Sequence, residues 1–125
     1  MGRTETIRQS RLRSIIELFD FFEYNDYDRL GYITGYCGGE STLKNAKNSD
    51  LKDLLDFLSE KKGNLFKQLK AAAIKAGIVQ KDNASLMNTW EIDKLLREQY
   101  GVALRDARAS HIRKIIHLLQ TGEIL

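Results

Sequence analysis

Apolar residues recur at helical spacing along most of this chain, and no proline interrupts them in 125 residues. Side chains three or four positions apart share one face of a helix, whereas a half-buried strand requires strict alternation. Proline breaks helix interiors, and all-β domains commonly use it in their turns. The sequence therefore predicts an all-α fold, a compact bundle of five to six helices that forms one domain over residues 1–125.

Capping residues and glycines divide this pattern into segments. Asn25 is a suitable N-cap for the second helix, and Gly63 is placed to end the third. Residues 40–48 and 80–88 are polar and predict connections. The predicted helices cover residues 4–24, Asp26 to Cys37, Ser49 to Gly63, 64–76, 89–100 and 104–121.

Cysteine content and apolar run length indicate the compartment. Cys37 is the single cysteine, so no intramolecular disulfide forms, which fits a reducing environment. No apolar run approaches the length of a membrane span. We expect a cytoplasmic protein that does not contact a membrane.

The charge distribution is more informative than the net charge of +3. Five acidic residues between positions 17 and 28 occur without a basic residue among them, whereas six lysines and no acid occur from Lys61 to Lys81. Such blocks create opposite local potentials on a folded surface.

Catalytic constellations are not apparent in the sequence. His111 and His117 are six positions apart on one predicted helix, so they point in different directions and cannot share a metal ion. Cys37 has no neighbouring histidine or second cysteine to activate it. The acidic residues Asp20 to Asp28 are more simply explained as solvated surface charge than as a Mg²⁺ site. We expect no enzymatic activity, no cofactor, no metal and no small-molecule substrate.

The helix over residues 64–76 is the first candidate nucleic-acid contact. Its side opposite the apolar face carries Lys67, Lys70, Ile74 and Lys75. A helix in a DNA major groove uses small or apolar side chains against thymine methyl groups and lysines against phosphate. The alternative is a solvated lysine-rich face with one apolar packing contact.

The last two predicted helices resemble a helix-turn-helix pair in outline. A helix ends at Gly101 and a basic helix follows from about residue 104, so its early residues would contact base edges and phosphates. These candidates are Arg105, Arg108, Arg113 and Lys114. Arg108 lies toward the apolar edge, where an arginine extending its charged end to solvent is the simpler explanation. We expect nucleic acid as the partner, with DNA favoured.

The aromatic stretch around residues 15–24 supports a different hypothesis. The apolar residues of the predicted helix over 4–24 cover more than half of its circumference, so part of it could meet a second chain as a homodimer or another protein. The residues in question are Phe19, Phe21, Phe22 and Tyr24. The alternative function is therefore a non-catalytic protein-interaction module: an adaptor, an inhibitor or a small subunit. Tyrosines 24, 27, 32 and 36 lie in an acidic stretch that repels phosphate, so they favour a core or protein-facing role.

Overall fold

The computed structural model describes residues 3–77 and 89–122, and the regular secondary structure in these ranges is helical, without a β-strand. The all-α prediction is confirmed, and the described residues form five α-helices, the lower end of the expected range. Short 3₁₀ turns occur at Leu43–Asn45 and Leu104–Asp106. Within these ranges no helix is both long and apolar enough to cross a membrane. The five α-helices are α1 (Arg3–Phe21), α2 (Asp26–Tyr36), α3 (Asn48–Lys75), α4 (Thr89–Tyr100) and α5 (Ala109–Thr121).

The chain divides into two compact units, Met1–Lys62 and Gly63–Leu125, which we call the first and second units. Helix α3 contributes its N-terminal half to the first unit and its C-terminal half to the second.

The core of the first unit is built from α1, α2 and the first half of α3. Phe19 is 1% exposed, and Leu51, Leu54 and Leu58 of α3 are fully buried. Their spacing of three and four places them on one face of α3, as the sequence pattern predicts. This burial supplies the hydrophobic stabilisation of the unit.

Helix α2 begins at the predicted cap. The side chain of Asn25 accepts a hydrogen bond from the Asp28 backbone N–H at 2.8 Å. The Asp28 carboxylate in turn accepts one from the Asn25 backbone N–H at 3.3 Å. This reciprocal pair satisfies two backbone donors at the helix start.

The predicted break at Gly63 is wrong, because α3 is one continuous helix of 28 residues. Gly63 keeps a helical backbone conformation instead of the left-handed one that ends a helix. Glycine inside a helix costs only about 1 kcal/mol relative to alanine. The apolar stripes on both sides of Gly63 are buried and outweigh that cost.

The second unit buries an apolar face from each of its helices. Leu69, Ile92, Ile112 and Ile115 are all fully buried. Helix α4 ends at the predicted glycine, Gly101, which has a φ of 67°. The last helix starts at Ala109 and not near residue 104. Thr89 begins α4, and the predicted loop over residues 80–88 lies outside the described residues.

Two side chains explain the late start of α5. The Asp93 carboxylate accepts a hydrogen bond from the Leu104 backbone N–H at 2.7 Å. Nδ1 of His111 accepts one from the Arg108 backbone N–H at 3.0 Å. Each acceptor satisfies a backbone donor at the beginning of a separate turn or helix. The 3₁₀ turn and α5 therefore form as distinct elements.

Candidate nucleic-acid interface and aromatic cluster

The second half of α3 presents the predicted basic side to solvent. Leu65, Leu69, Ala72 and Ala73 are buried on one face. On the remaining surface, the residues Lys67 and Lys75 are exposed, and Lys70 and Ile74 are half-buried. Part of the Ile74 side chain is thus already covered by the protein itself.

Helix α5 carries a second set of exposed cations. Arg113 and Lys114 are exposed, on the side away from the buried Ile112 and Ile115. The Lys114 ammonium lies 5.7 Å from the centroid of the Tyr100 ring. A cation placed over a ring face is attracted by the ring quadrupole, but its charge stays available to a partner.

The helix-turn-helix interpretation is not supported. Eight residues, 101–108, separate α4 from α5, and they include the 3₁₀ turn. A helix-turn-helix motif has a turn of about three or four residues. Arg105 lies in that 3₁₀ turn and Arg108 is the N-cap of α5, so neither is on the first turns of a recognition helix.

An open cleft of about 690 Å³ lies between the second half of α3 and the end of α5. Ala71, Ala72 and Leu119 give it apolar walls, and Lys75 lies at its side. The other predicted nucleic-acid contacts do not line this cleft.

Several cations of the second unit lack a counter-charge. Lys67, Lys70, Lys75 and Arg113 form no ion pair, hydrogen bond or ring contact within residues 3–77 and 89–122. Arg105 forms a loose pair with Asp106 at 3.8 Å. With ten basic and six acidic residues, this unit has a net charge of +4, whereas the first unit, with ten basic and eleven acidic residues, has −1.

The predicted protein-interface aromatics are largely covered within the chain. Phe19, Phe21 and Phe22 are 1%, 8% and 5% exposed, and Tyr24 is half-buried. Phe22 stacks on Tyr24 with ring centroids 5.4 Å apart. These phenylalanines therefore belong to the core and do not form an exposed docking face, whereas Ile7 and Ile16 of α1 are 43% and 46% exposed.

Lys61 organises an aromatic cluster at the surface of the first unit. Its ammonium donates hydrogen bonds to the hydroxyls of Tyr24 and Tyr32, which are themselves 3.0 Å apart. It also lies 5.1 Å from the ring centroids of both Phe22 and Tyr24. The first lysine of the predicted basic block is thus a packing residue.

Contacts within this cluster shift the pKa values of Lys61 and Tyr32. Partial burial lowers the pKa of Lys61, but hydrogen bonds to the two phenol oxygens outweigh this effect and leave the pKa raised. The hydrogen bond with Tyr24, aided by Lys61, lowers the pKa of Tyr32 against the effect of burial. The raised pKa of Lys61 favours the charged lysine beside the two tyrosines.

Arg8 has a structural role that the sequence pattern did not indicate. Its guanidinium donates hydrogen bonds to the carbonyl oxygens of Leu43, Lys44 and Ala46, and to Oδ1 of Asn48 at 3.0 Å. Its acceptors lie 35 to 40 positions away in the chain. Only the tertiary structure brings them together.

The acidic residues near the start of α2 are used locally. Asp20 pairs with Arg29 at 2.7 Å, and Asp28 belongs to the cap of α2. Among the described residues, no group of three or more histidine, cysteine or acidic side chains is arranged to hold a metal ion.

Comparisons with protein-family models, with curated proteins and with solved structures find no significant match to this chain.

Proposed function

We propose that this protein binds nucleic acid, with duplex DNA as the partner, through the basic surface of the second unit. The observation that carries the proposal is a set of cations without a counter-charge within residues 3–77 and 89–122: Lys67, Lys70, Lys75 and Arg113. Arg29 and Lys61 of the first unit, by contrast, are paired or lie over rings and stabilise the fold. Unpaired cations on two helices of a +4 unit are available to phosphate.

Contact with phosphate is the chemistry that these side chains suit best. Lysine is a point charge on a flexible stem, and arginine can donate two parallel hydrogen bonds to a phosphate. Because the helix-turn-helix geometry is not supported, base-specific contacts by Arg105 and Arg108 are not part of the proposal. The expected binding is largely independent of sequence.

The test is a fluorescence-anisotropy titration of the full chain against labelled duplex DNA at several salt concentrations, with single-stranded DNA and RNA as comparisons. Binding should weaken steeply as salt rises, because phosphate contacts release condensed counterions. Lys67→Ala, Lys70→Ala and Arg113→Ala should each weaken binding to all sequences alike. Each should also lower the salt slope by about 0.9 for a lost phosphate contact.

Arg13→Ala is the matched control, since Arg13 is an exposed arginine of the first unit without a recorded partner. It removes the same charge and should leave the salt slope unchanged. Ile74→Ala removes no charge, so a loss of affinity there would place α3 directly against the duplex. If the parent does not bind, or if the control loses as much as the three variants, the proposal fails.

A further inference from the structure

Phe57 of α3 is 38% exposed, although its ring packs against α2. It packs at 5.3 Å between ring centroids against Tyr36, which is half-buried on α2. Together with Asp53 and Glu60 of α3, these two residues define what we call the Tyr36–Phe57 patch. Its rings extend the aromatic cluster, since Tyr32 lies 6.0 Å from Phe57.

The first unit repeatedly places cations over its aromatic rings. Lys61 lies over three rings, Lys62 lies 4.5 Å from the Phe21 centroid, and Arg29 lies 5.5 Å from the Phe19 centroid. Within the described part of the chain, no cation lies over Tyr36 or Phe57. Their exposed surface is therefore open to a cation from outside.

Two carboxylates flank Phe57 on the solvent side of α3. Asp53 precedes it by four positions and Glu60 follows it by three, which puts the Cβ atoms about 5–6 Å from that of Phe57. Both side chains are exposed and neither forms an ion pair in the described ranges. By contrast, the neighbouring Asp56 is paired with Lys52 at 3.2 Å.

We propose that the Tyr36–Phe57 patch binds an arginine-bearing, extended segment of a partner protein. A guanidinium stacks on an aromatic face and forms two parallel hydrogen bonds with a carboxylate, and the patch offers both groups side by side. Asp53 and Glu60 repel phosphate, so this surface does not suit nucleic acid. The proposal does not depend on the proposed function, because the patch lies in the other unit.

The test adds a short capped peptide of alternating arginine and glycine to the full ¹⁵N-labelled chain. Binding is measured from the amide chemical shifts of the protein at low salt. Shifts should concentrate around Tyr36 and Phe57. Phe57→Leu keeps the apolar bulk but removes the ring, and it should weaken binding by about two- to fivefold. Asp53→Asn combined with Glu60→Gln should weaken it by about two- to fivefold as well.

Three controls make the result decisive. Tyr27→Ala removes a side chain that belongs to an 84% exposed residue of α2 outside the patch, and it should bind the peptide like the parent. A peptide with glutamate in place of arginine should not bind. The proposal is overturned if the parent does not bind, if Phe57→Leu binds equally well, or if single-stranded nucleic acid shifts the same amides.

Discussion

Each of the two units contains ten lysine and arginine residues, and the surroundings of those residues differ. In the first unit, Arg8 holds backbone carbonyls, Arg29 pairs with Asp20, and Lys61 lies among aromatic rings. In the second, Lys67 and Arg113 have no recorded partner among the described residues. Arg8, Arg29 and Lys61 thus serve internal packing, whereas Lys67 and Arg113 remain available to a partner.

This difference teaches that the number of cations is a poor guide to binding. The lysines from position 61 to 81 look like one basic block in the sequence. The structure separates Lys61 and Lys62, which lie over rings of the first unit, from Lys67, Lys70 and Lys75. A cation whose field is not offset by nearby acids is the one that attracts an anionic partner.

Arg8→Ala should have the largest effect on the free energy of unfolding. A small effect would contradict the conclusion that cations of the first unit serve internal packing. The substitution removes several charge-assisted hydrogen bonds to carbonyls, so we expect a loss of about 2–3 kcal/mol in the free energy of unfolding. Arg113→Ala in the second unit should change it by no more than about 0.5 kcal/mol. Urea denaturation followed by circular dichroism measures both.

Arg13→Ala is the control within the same helix, because Arg13 is exposed and no interaction of its side chain is recorded. Its free energy of unfolding should change as little as that of Arg113→Ala. Equal losses in all three variants would mean that cations contribute alike to both units, which contradicts the comparison above.

Alanine substitutions at two glycines sharpen the comparison by setting the end of α4 in the second unit against the interior of α3, the helix that both units share. Gly101 has a φ of 67°, so Gly101→Ala should destabilise the protein by about 1–2 kcal/mol. Gly63 is helical with open space around a Cβ, so Gly63→Ala should stabilise it by about 1 kcal/mol. Thermal unfolding measures whether each substitution raises or lowers the stability. A loss of stability in Gly63→Ala would show that α3 requires glycine at this position.

Asp93→Asn should have the smallest effect, and it tests the main polar connection between α4 and the 3₁₀ turn. The Leu104 backbone N–H and then Arg97 favour the ionised carboxylate, which lowers the pKa of Asp93. Because the folded pKa lies below the unfolded one, the stabilisation is present above the unfolded pKa and is lost as pH falls through the folded pKa.

The unfolding temperature of Asp93→Asn should therefore depend less on pH than that of the parent below about pH 4. Glu98→Gln provides the comparison, since Glu98 is on the same helix and has no recorded hydrogen bond. If both variants follow the parent through the acid range, the Asp93 connection does not contribute to acid stability.

The sequence by itself determined the helical class, the cap at Asn25 and the end of α4 at Gly101. These features depend on neighbouring residues: apolar spacing, a side chain that reaches its own backbone, and a glycine that tolerates positive φ. Such local preferences are visible in any short stretch of the chain. The outward side of α3 with Lys67 followed from the same spacing.

The tertiary structure alone decided the continuity of α3 through Gly63, the late start of α5 and the burial of Phe19. A helix-breaking preference of about 1 kcal/mol is smaller than the gain from burying apolar side chains on both sides of it. The hydrogen bonds that Arg8 donates to carbonyls join residues at least 35 positions apart, and the one that the Leu104 backbone N–H donates to Asp93 joins residues 11 positions apart. Local spacing contains no information on such pairs, because their formation depends on how whole helices pack.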